Sequence, residues 1–263
     1  MSILDTIVEY KKKEVESCKE LIPVDNLKRY PFFNRKTYSL KESLIDSSKT
    51  GIIAEFKRKS PSKGIINDKA DVGTVTQGYT NNGASAVSVL TDFNFFGGSI
   101  DDLQKAREFN EVPILRKEFI IDKYQIYEAK AHGADVILLI ADILDKHEIR
   151  LFTELAHDIG LQVLLELHNE KELNSINENL DVVGVNNRDL KTFKVNLEHS
   201  VHLGSKIPDE FVKISESGIS TINDILYLRD QGFHGFLIGE NFMKTTDPVQ
   251  AFDNFNKELA YRK

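Results

Sequence analysis

Glu55 and Lys57 lie two residues apart at the end of an apolar run, GIIAEFK (51–57). Residues two apart on an extended strand share a face. If Ile53 points into a core, Glu55 and Lys57 therefore stand at that core's rim. A carboxylate and an ammonium held away from bulk water can grip a substrate anion and exchange protons, each tuning the other's proton affinity. The arrangement recurs along the chain. VPILRKEF (112–119) ends in Arg116, Lys117, Glu118 and Phe119, and LQVLLEL (161–167) carries Glu166. DVVGVNN (181–187) ends in Asn186 and Asn187 and is followed by Arg188. FVKISES (211–217) ends in Glu216 and Ser217 with Gly218 next, and GFLIGEN (235–241) ends in Gly239, Glu240 and Asn241. Acids and bases clustered in this way suit proton transfer near neutral pH. In SESGIS and LIGENF, small residues precede helical patterns, so that backbone N–H groups and a helix N-terminus can bind phosphate; a plain Ser-Gly turn is the alternative.

The elements that must position these groups are regular. Eight short apolar, β-branched runs occur: 51–57, 84–92, 112–119, 134–142, 161–167, 181–187, 211–217 and 235–241. Between them lie stretches of helical period, such as IDDLQKAREFN and DKHEIRLFTELAHDIG. Several end at a glycine just before the next strand, as a helix C-cap requires: Gly83, Gly133, Gly160 and Gly232. Strands that are apolar throughout and alternate with helices imply a parallel sheet covered by helices. Eight repeats predict an α/β fold, a (β/α)8 TIM barrel, whose chemistry belongs at the C-terminal ends of the strands. A doubly wound open sheet is the competing layout. It usually has fewer strands, and no G-x-G-x-x-G follows the first strand to mark its dinucleotide-binding form. Residues 3–20 read as a helix with an apolar face of Ile3, Leu4, Ile7, Val8 and Val15. Residues 25–48 read as a connecting segment with a short helix near 40–47. No composition break divides the chain, so residues 1–263 are expected to be one barrel domain, with residues 1–48 an N-terminal helical extension packed on it.

Composition narrows the function. The 263 residues carry a net charge of −7, which argues against nucleic acid as a main partner while permitting a small anion in a local basic pocket. The single cysteine, Cys18, allows no intramolecular disulfide and no cysteine-based metal site, which fits a reducing cytoplasm. The N-terminus lacks the apolar core of a signal peptide, and no apolar run approaches the roughly 18 residues that span a bilayer. Of the seven histidines, His199 and His202 are spaced to share a helix face, but most fall away from strand ends, and exposed or hydrogen-bonded histidines are the expectation. EYKKKEVESCKE reads as a solvated helix face of an extension that can also help close a site.

IAEFKRKSPSKG (53–64) closely resembles the first motif of the indole-3-glycerol phosphate synthase family. PILRKEFIID, ADVILLIA, LLELHNEKEL, GVNNRDLKTFKV, SESGI and GFLIGENFM agree in order, so the resemblance covers essentially the whole chain. It implies closure of 1-(2-carboxyphenylamino)-1-deoxyribulose 5-phosphate to indole-3-glycerol phosphate, CO2 and water, without cofactor or metal. The implied catalytic residues are Lys117 as general acid, Lys57, Glu166, Glu55 and Asn186. Lys57 would hold the substrate carboxylate and assist departure of the hydroxyl; which lysine serves which step is left open. Glu166 would be the base or electrostatic partner for dehydration. Ser60, Phe119, Arg188, Glu216 and Ser217 are implied to bind substrate, with Phe119 against the aryl ring. Ser217, Gly218, Gly239 and the backbone N–H of Glu240 are implied to bind the phosphate. A lysine crowded by Lys57, Arg116 and Arg188 is expected to have a depressed pKa, which would ease proton donation by Lys117. The partner is then a small phosphorylated substrate, with neither nucleic acid nor membrane, and the protein is expected to be a cytoplasmic monomer. A sister phosphoribosylanthranilate isomerase would need a Cys/Asp pair, and the sole cysteine lies in the N-terminal helix. A tryptophan synthase α subunit lacks the strand-1 lysine motif. A non-catalytic scaffold would be expected to have lost Lys57, Lys117 or Glu166.

Overall fold

The eight apolar runs pair side by side in a computed structural model of the chain, which describes residues 3–189 and 192–262. They form strands β1 (Ile52–Phe56), β2 (Ala86–Leu90), β3 (Ile114–Lys117), β4 (Val136–Ile140), β5 (Gln162–Leu167), β6 (Val182–Asn186), β7 (Val212–Glu216) and β8 (Gly235–Ile238). Every neighbouring pair is parallel, and β8 returns to β1 with Leu237 opposite Ile53, closing the barrel.

Alternation divides the side chains into two cores. Ile53, Ala86, Leu115, Leu138, Leu164, Ile214 and Leu237 fill the interior. Ile52, Ala54, Phe56, Val87, Val89, Leu165 and Val183 face outward into the larger core under the helices. Burial on both faces is why the strands read as unbroken apolar runs. The short helix Leu40–Ile45 puts Leu40 and Leu44 into the inner core and closes the barrel away from the strands' C-terminal ends. The outer helices begin on side-chain caps, with reciprocal capping boxes at Asp122/Gln125, Asp145/Glu148 and Thr221/Asp224. Gly83, Gly133, Gly160 and Gly232 follow helix ends in the left-handed conformation, at φ of 78 to 92°.

The structure departs from the sequence reading in three places. After β1, Lys59–Ser60 pairs antiparallel with Gly64–Ile65 in a small hairpin around Pro61 and Ser62, too short to leave a periodic signal. After β5, Glu170–Ser175 winds as a 3-10 helix. The third concerns helix α1 (Ile3–Leu21). Its charged run is not simply a solvated face, because Lys11 is 1% exposed. The Lys11 Nζ lies 2.9 Å from Glu14, 2.9 Å from Asp92 after β2 and 3.1 Å from Glu118 after β3. These carboxylates outweigh the opposing effect of burial and hold the ammonium charged. One to two turns earlier, Ile3, Leu4 and Ile7 reach the barrel mouth.

Candidate active site

A cavity of about 580 Å³ opens at the C-terminal ends of the strands. Its walls contain all the candidates named from the sequence: Glu55, Lys57, Ser60, Lys117, Phe119, Glu166, Asn186, Arg188, Glu216, Ser217, Gly218, Gly239 and Glu240. The interior alternation explains the convergence. Ile53, Glu55 and Lys57 continue one inward row, Leu115 and Lys117 a second, Leu164 and Glu166 a third, and Ile214 and Glu216 a fourth.

Lys117 is the hub. Its Nζ lies 2.7 Å from Glu166 Oε2 and 2.5 Å from Glu216 Oε2. Burial disfavours the ammonium, but Glu166, Glu216 and Glu55 outweigh it, and the pKa is raised. This reverses the sequence expectation of a depressed pKa. Arg116, one of the cations expected to crowd Lys117, points to the other side of β3. There it donates to the Gln125 carbonyl at 2.8 Å and to Glu128 at 2.6 Å. Adjacent strand residues face opposite ways, so two neighbours in sequence were never candidates for one cluster.

The two carboxylates beside Lys117 are driven apart. Burial also opposes ionisation of Glu166, but Lys117 and His168 outweigh it and hold this carboxyl well below the ordinary range. At Glu216, burial and the neighbouring Glu166 charge prevail over Lys117 and push the pKa up to about 7. The second oxygen of Glu216, Oε1, is buried without a protein hydrogen-bond partner. One carboxyl held ionised beside one poised near neutrality is the pattern of a divided acid–base pair.

The remaining groups ring this hub. Lys57 donates to Glu55 Oε1 at 2.6 Å. Asn186 donates from Nδ2 to Glu166 Oε1 at 3.0 Å, while its own Oδ1 accepts the Arg188 N–H at 3.0 Å. Phe119 packs on Phe96 with ring centroids 5.8 Å apart, and with Ile3, Leu4 and Ile7 they form an apolar wall. Opposite, Ser217 and Gly218 are successive left-handed residues at φ 68° and 79°; serine there is uncommon. Glu240 turns its side chain outward, 3.5 Å from Lys63 and 3.7 Å from Arg188. Gly239 is needed for a reason the sequence reading missed: a Cβ there would stand 2.6 Å from Glu55 Oε1. Asn187 leaves the cavity for Ser215 and the Ser217 carbonyl. His168, passed over in the sequence, lies 3.0 Å from Glu166 Oε1. Its position two residues beyond Glu166 was the available signal. Among the described residues, no group of three or more His, Cys, Asp or Glu is arranged to hold a metal ion.

The comparisons with known proteins converge on one family. A family model described as indole-3-glycerol phosphate synthase matches residues 4–255. The chain belongs to the indole-3-glycerol phosphate synthase family. It is 46% identical over 257 residues to the indole-3-glycerol phosphate synthase of Bacteroides thetaiotaomicron, covering 98% of each chain. Its identity to that of Caldanaerobacter subterraneus subsp. tengcongensis is 44%, over 92% of this chain and 93% of the relative. Among solved structures, a mutant tryptophan synthase α-subunit from Pyrococcus furiosus matches at a TM-score of 0.60 and 15% identity, covering 81% of this chain and 98% of that one. A thiamine phosphate pyrophosphorylase from the same organism matches at 0.60 and 15%, over 85% and 98%. At such identities these two speak for the barrel fold alone. An indole-3-glycerol phosphate synthase must bring a carboxyaryl amine, a ketone and a phosphate into one pocket. The apolar wall, the buried lysine hub and the Ser217–Gly218 loop lie around one cavity.

Proposed function

We propose that this cavity closes the ring of 1-(2-carboxyphenylamino)-1-deoxyribulose 5-phosphate, releasing CO2 and water to give indole-3-glycerol phosphate, and that the residues around Lys117 carry the proton transfers. The observation that carries the reading is the hub itself, one buried ammonium between two carboxyls with divergent proton affinities.

The substrate's aryl ring lies along Phe119, Phe96 and the α1 side chains, and its phosphate against Ser217, Gly218, Gly239 and the Glu240 N–H. Lys57, oriented by Glu55, holds the carboxylate with Ser60. The ring carbon bearing that carboxylate attacks the ketone carbon. As the C–C bond forms, the carbonyl oxygen becomes an alkoxide and takes a proton from Lys117. The raised pKa of Lys117 is compatible with this step, because an alkoxide is the stronger base, and a fully charged ammonium gives the larger electrostatic stabilisation. Attack leaves the ring cationic. The bond to the carboxylate then breaks, its electron pair restores aromaticity, and CO2 departs. In dehydration the hydroxyl leaves as water with a proton from Lys57, assisted by the ring nitrogen's electron pair. Glu166 takes the proton from the adjacent methylene carbon to complete the indole. Asn186 orients Glu166, Arg188 braces the rim through Glu240, and Glu216 returns a proton to Lys117. Two protons are given and one is taken, so each turnover draws one proton from solvent.

The chain supplies this cavity from its own residues, and we take the working form to be a monomer. The single cysteine and the biosynthetic family favour the cytoplasm as its location. No helix among the described residues is long and apolar enough to cross a membrane. The direct test mixes purified protein, in chelator and without cofactor, with the carboxyphenylamino-deoxyribulose phosphate and follows indole fluorescence. A rise that Glu166→Gln severely reduces is expected. No rise, with phosphate analogues still binding, would move the assignment to another barrel activity.

A further inference from the structure

His168 follows β5 in the inward row of Leu164 and Glu166 but stands behind Glu166, outside the cavity lining. Its side chain is 10% exposed, and its Nε2 lies 3.0 Å from Glu166 Oε1, a close ionic contact without hydrogen-bond alignment, while the same oxygen accepts from Asn186. The other carboxylate oxygen, Oε2, faces Lys117. On the far side of the imidazole, Nδ1 lies 3.9 Å from Glu172 Oε2. Glu172 is itself fixed, accepting the His168 backbone N–H at 2.6 Å and the Asn169 side-chain amide. The His168 carbonyl accepts from His199 Nε2 at 2.8 Å, which ties the backbone down from the helix Leu197–Gly204. A buried carboxylate–imidazole–carboxylate row, Glu172, His168, Glu166, thus ends on the Lys117 hub.

We infer that His168 is a positioning residue for Glu166: with Asn186 it fixes one carboxylate oxygen, so that the other stays directed at Lys117 and the reacting atoms. The imidazole touches no surface open to substrate, so its effect passes through Glu166. The charged groups around it are Glu166, Glu172 and Asp142, all acidic. Burial disfavours the imidazolium, but these three outweigh it and raise the histidine's pKa above its ordinary value. A protonated His168 in turn helps hold Glu166 ionised, the state a base requires.

The inference rests on the role of Glu166 proposed above, and two measurements separate the two claims. The first is kinetic. Outer partners that orient a reacting group are typically worth about 10- to 100-fold. His168→Leu should lower kcat about 10-fold or more, with KM changed less than about twofold. His168→Gln, which restores a donor near the Nε2 position, should recover most of the loss. The second needs no turnover. The His168 imidazole, assigned by NMR against His168→Gln, should titrate above an unperturbed histidine in the unmutated protein, and Glu166→Gln should lower that titration. A wild-type kcat in His168→Leu, no recovery in His168→Gln, or an imidazole titration indifferent to Glu166→Gln would each overturn the positioning role. If His168→Leu does not fold, the titration in the Glu166→Gln protein decides alone. Full activity of Glu166→Gln would instead overturn the role of Glu166, whatever His168 does.

Discussion

Glu216→Gln should stabilise the protein at alkaline pH while destroying its activity. The carboxyl sits inside the barrel at 1% exposure, and its pKa is pushed from the ordinary 4.5 to about 7 by burial and by Glu166. A carboxyl whose folded pKa is raised adds stability below its unfolded pKa, and that contribution is lost as pH rises through the folded value. The window is therefore about pH 4.5 to 7. Above it the native state carries the whole penalty of ionising Glu216 in place. At about 1.36 kcal/mol per pH unit, the interval corresponds to about 3 kcal/mol. This is an upper bound, because Lys117, Glu166 and Glu216 titrate as one unit. Glutamine mimics the neutral acid at every pH and leaves Lys117 paired with Glu166.

Thermal unfolding of both proteins at pH 5 and pH 8 tests the argument. Near pH 5 the two Tm values should nearly coincide. At pH 8 the variant should melt higher by up to roughly 6–12 °C, given about 2–4 °C per kcal/mol for a chain of this size and the upper bound of about 3 kcal/mol. Turnover should fall at least about 100-fold at both pH values, since the hub loses the group that returns protons to Lys117. A Tm difference that is the same at pH 5 and pH 8, or a variant less stable at pH 8, would refute the assignment of a near-neutral carboxyl at this position.

Three other outcomes follow from the same geometry. Lys117→Met should abolish indole formation in a protein with an unchanged circular dichroism spectrum; near-normal turnover would remove Lys117 from the mechanism. Lys11→Met leaves Asp92 and Glu118 buried without their ammonium, a change worth about 3–5 kcal/mol when a buried pair is broken. It should make α1 susceptible to limited proteolysis and weaken substrate binding through the Ile3–Leu4–Ile7 wall, both measurable on the intact chain. Gly239→Ala should press its methyl on Glu55 Oε1, move Glu55 off Lys57, lower kcat/KM at least about 10-fold and destabilise by about 1–3 kcal/mol.

The barrel was legible because its strands are buried on both faces, so that eight apolar runs stand out against amphipathic helices. The convergence of the candidate residues on one cavity was legible because inward alternation carries Ile53 to Lys57, and Ile214 to Glu216, past the end of the core. Adjacency in sequence misleads where it stands in for contact in space. Arg116 adjoins Lys117 yet lies across the sheet, whereas Glu216 is 99 residues away and touches it. The charge around Lys117 is therefore negative, not positive as its sequence neighbours suggest, and its pKa is raised rather than lowered. The same limit hid Lys11, whose partners Asp92 and Glu118 come from two separate loops. Gly184 shows what such long-range contact demands of an otherwise unremarkable position. It lies in β6 beside β7, where a Cβ would stand 2.5 Å from Glu216 Oε1 and 3.2 Å from both Ile214 and Leu164. In the sequence it is one small residue in an apolar strand. In the barrel it makes the space that lets a carboxyl enter the core and reach the lysine, so the chemistry of the hub depends on a residue that has no chemistry of its own.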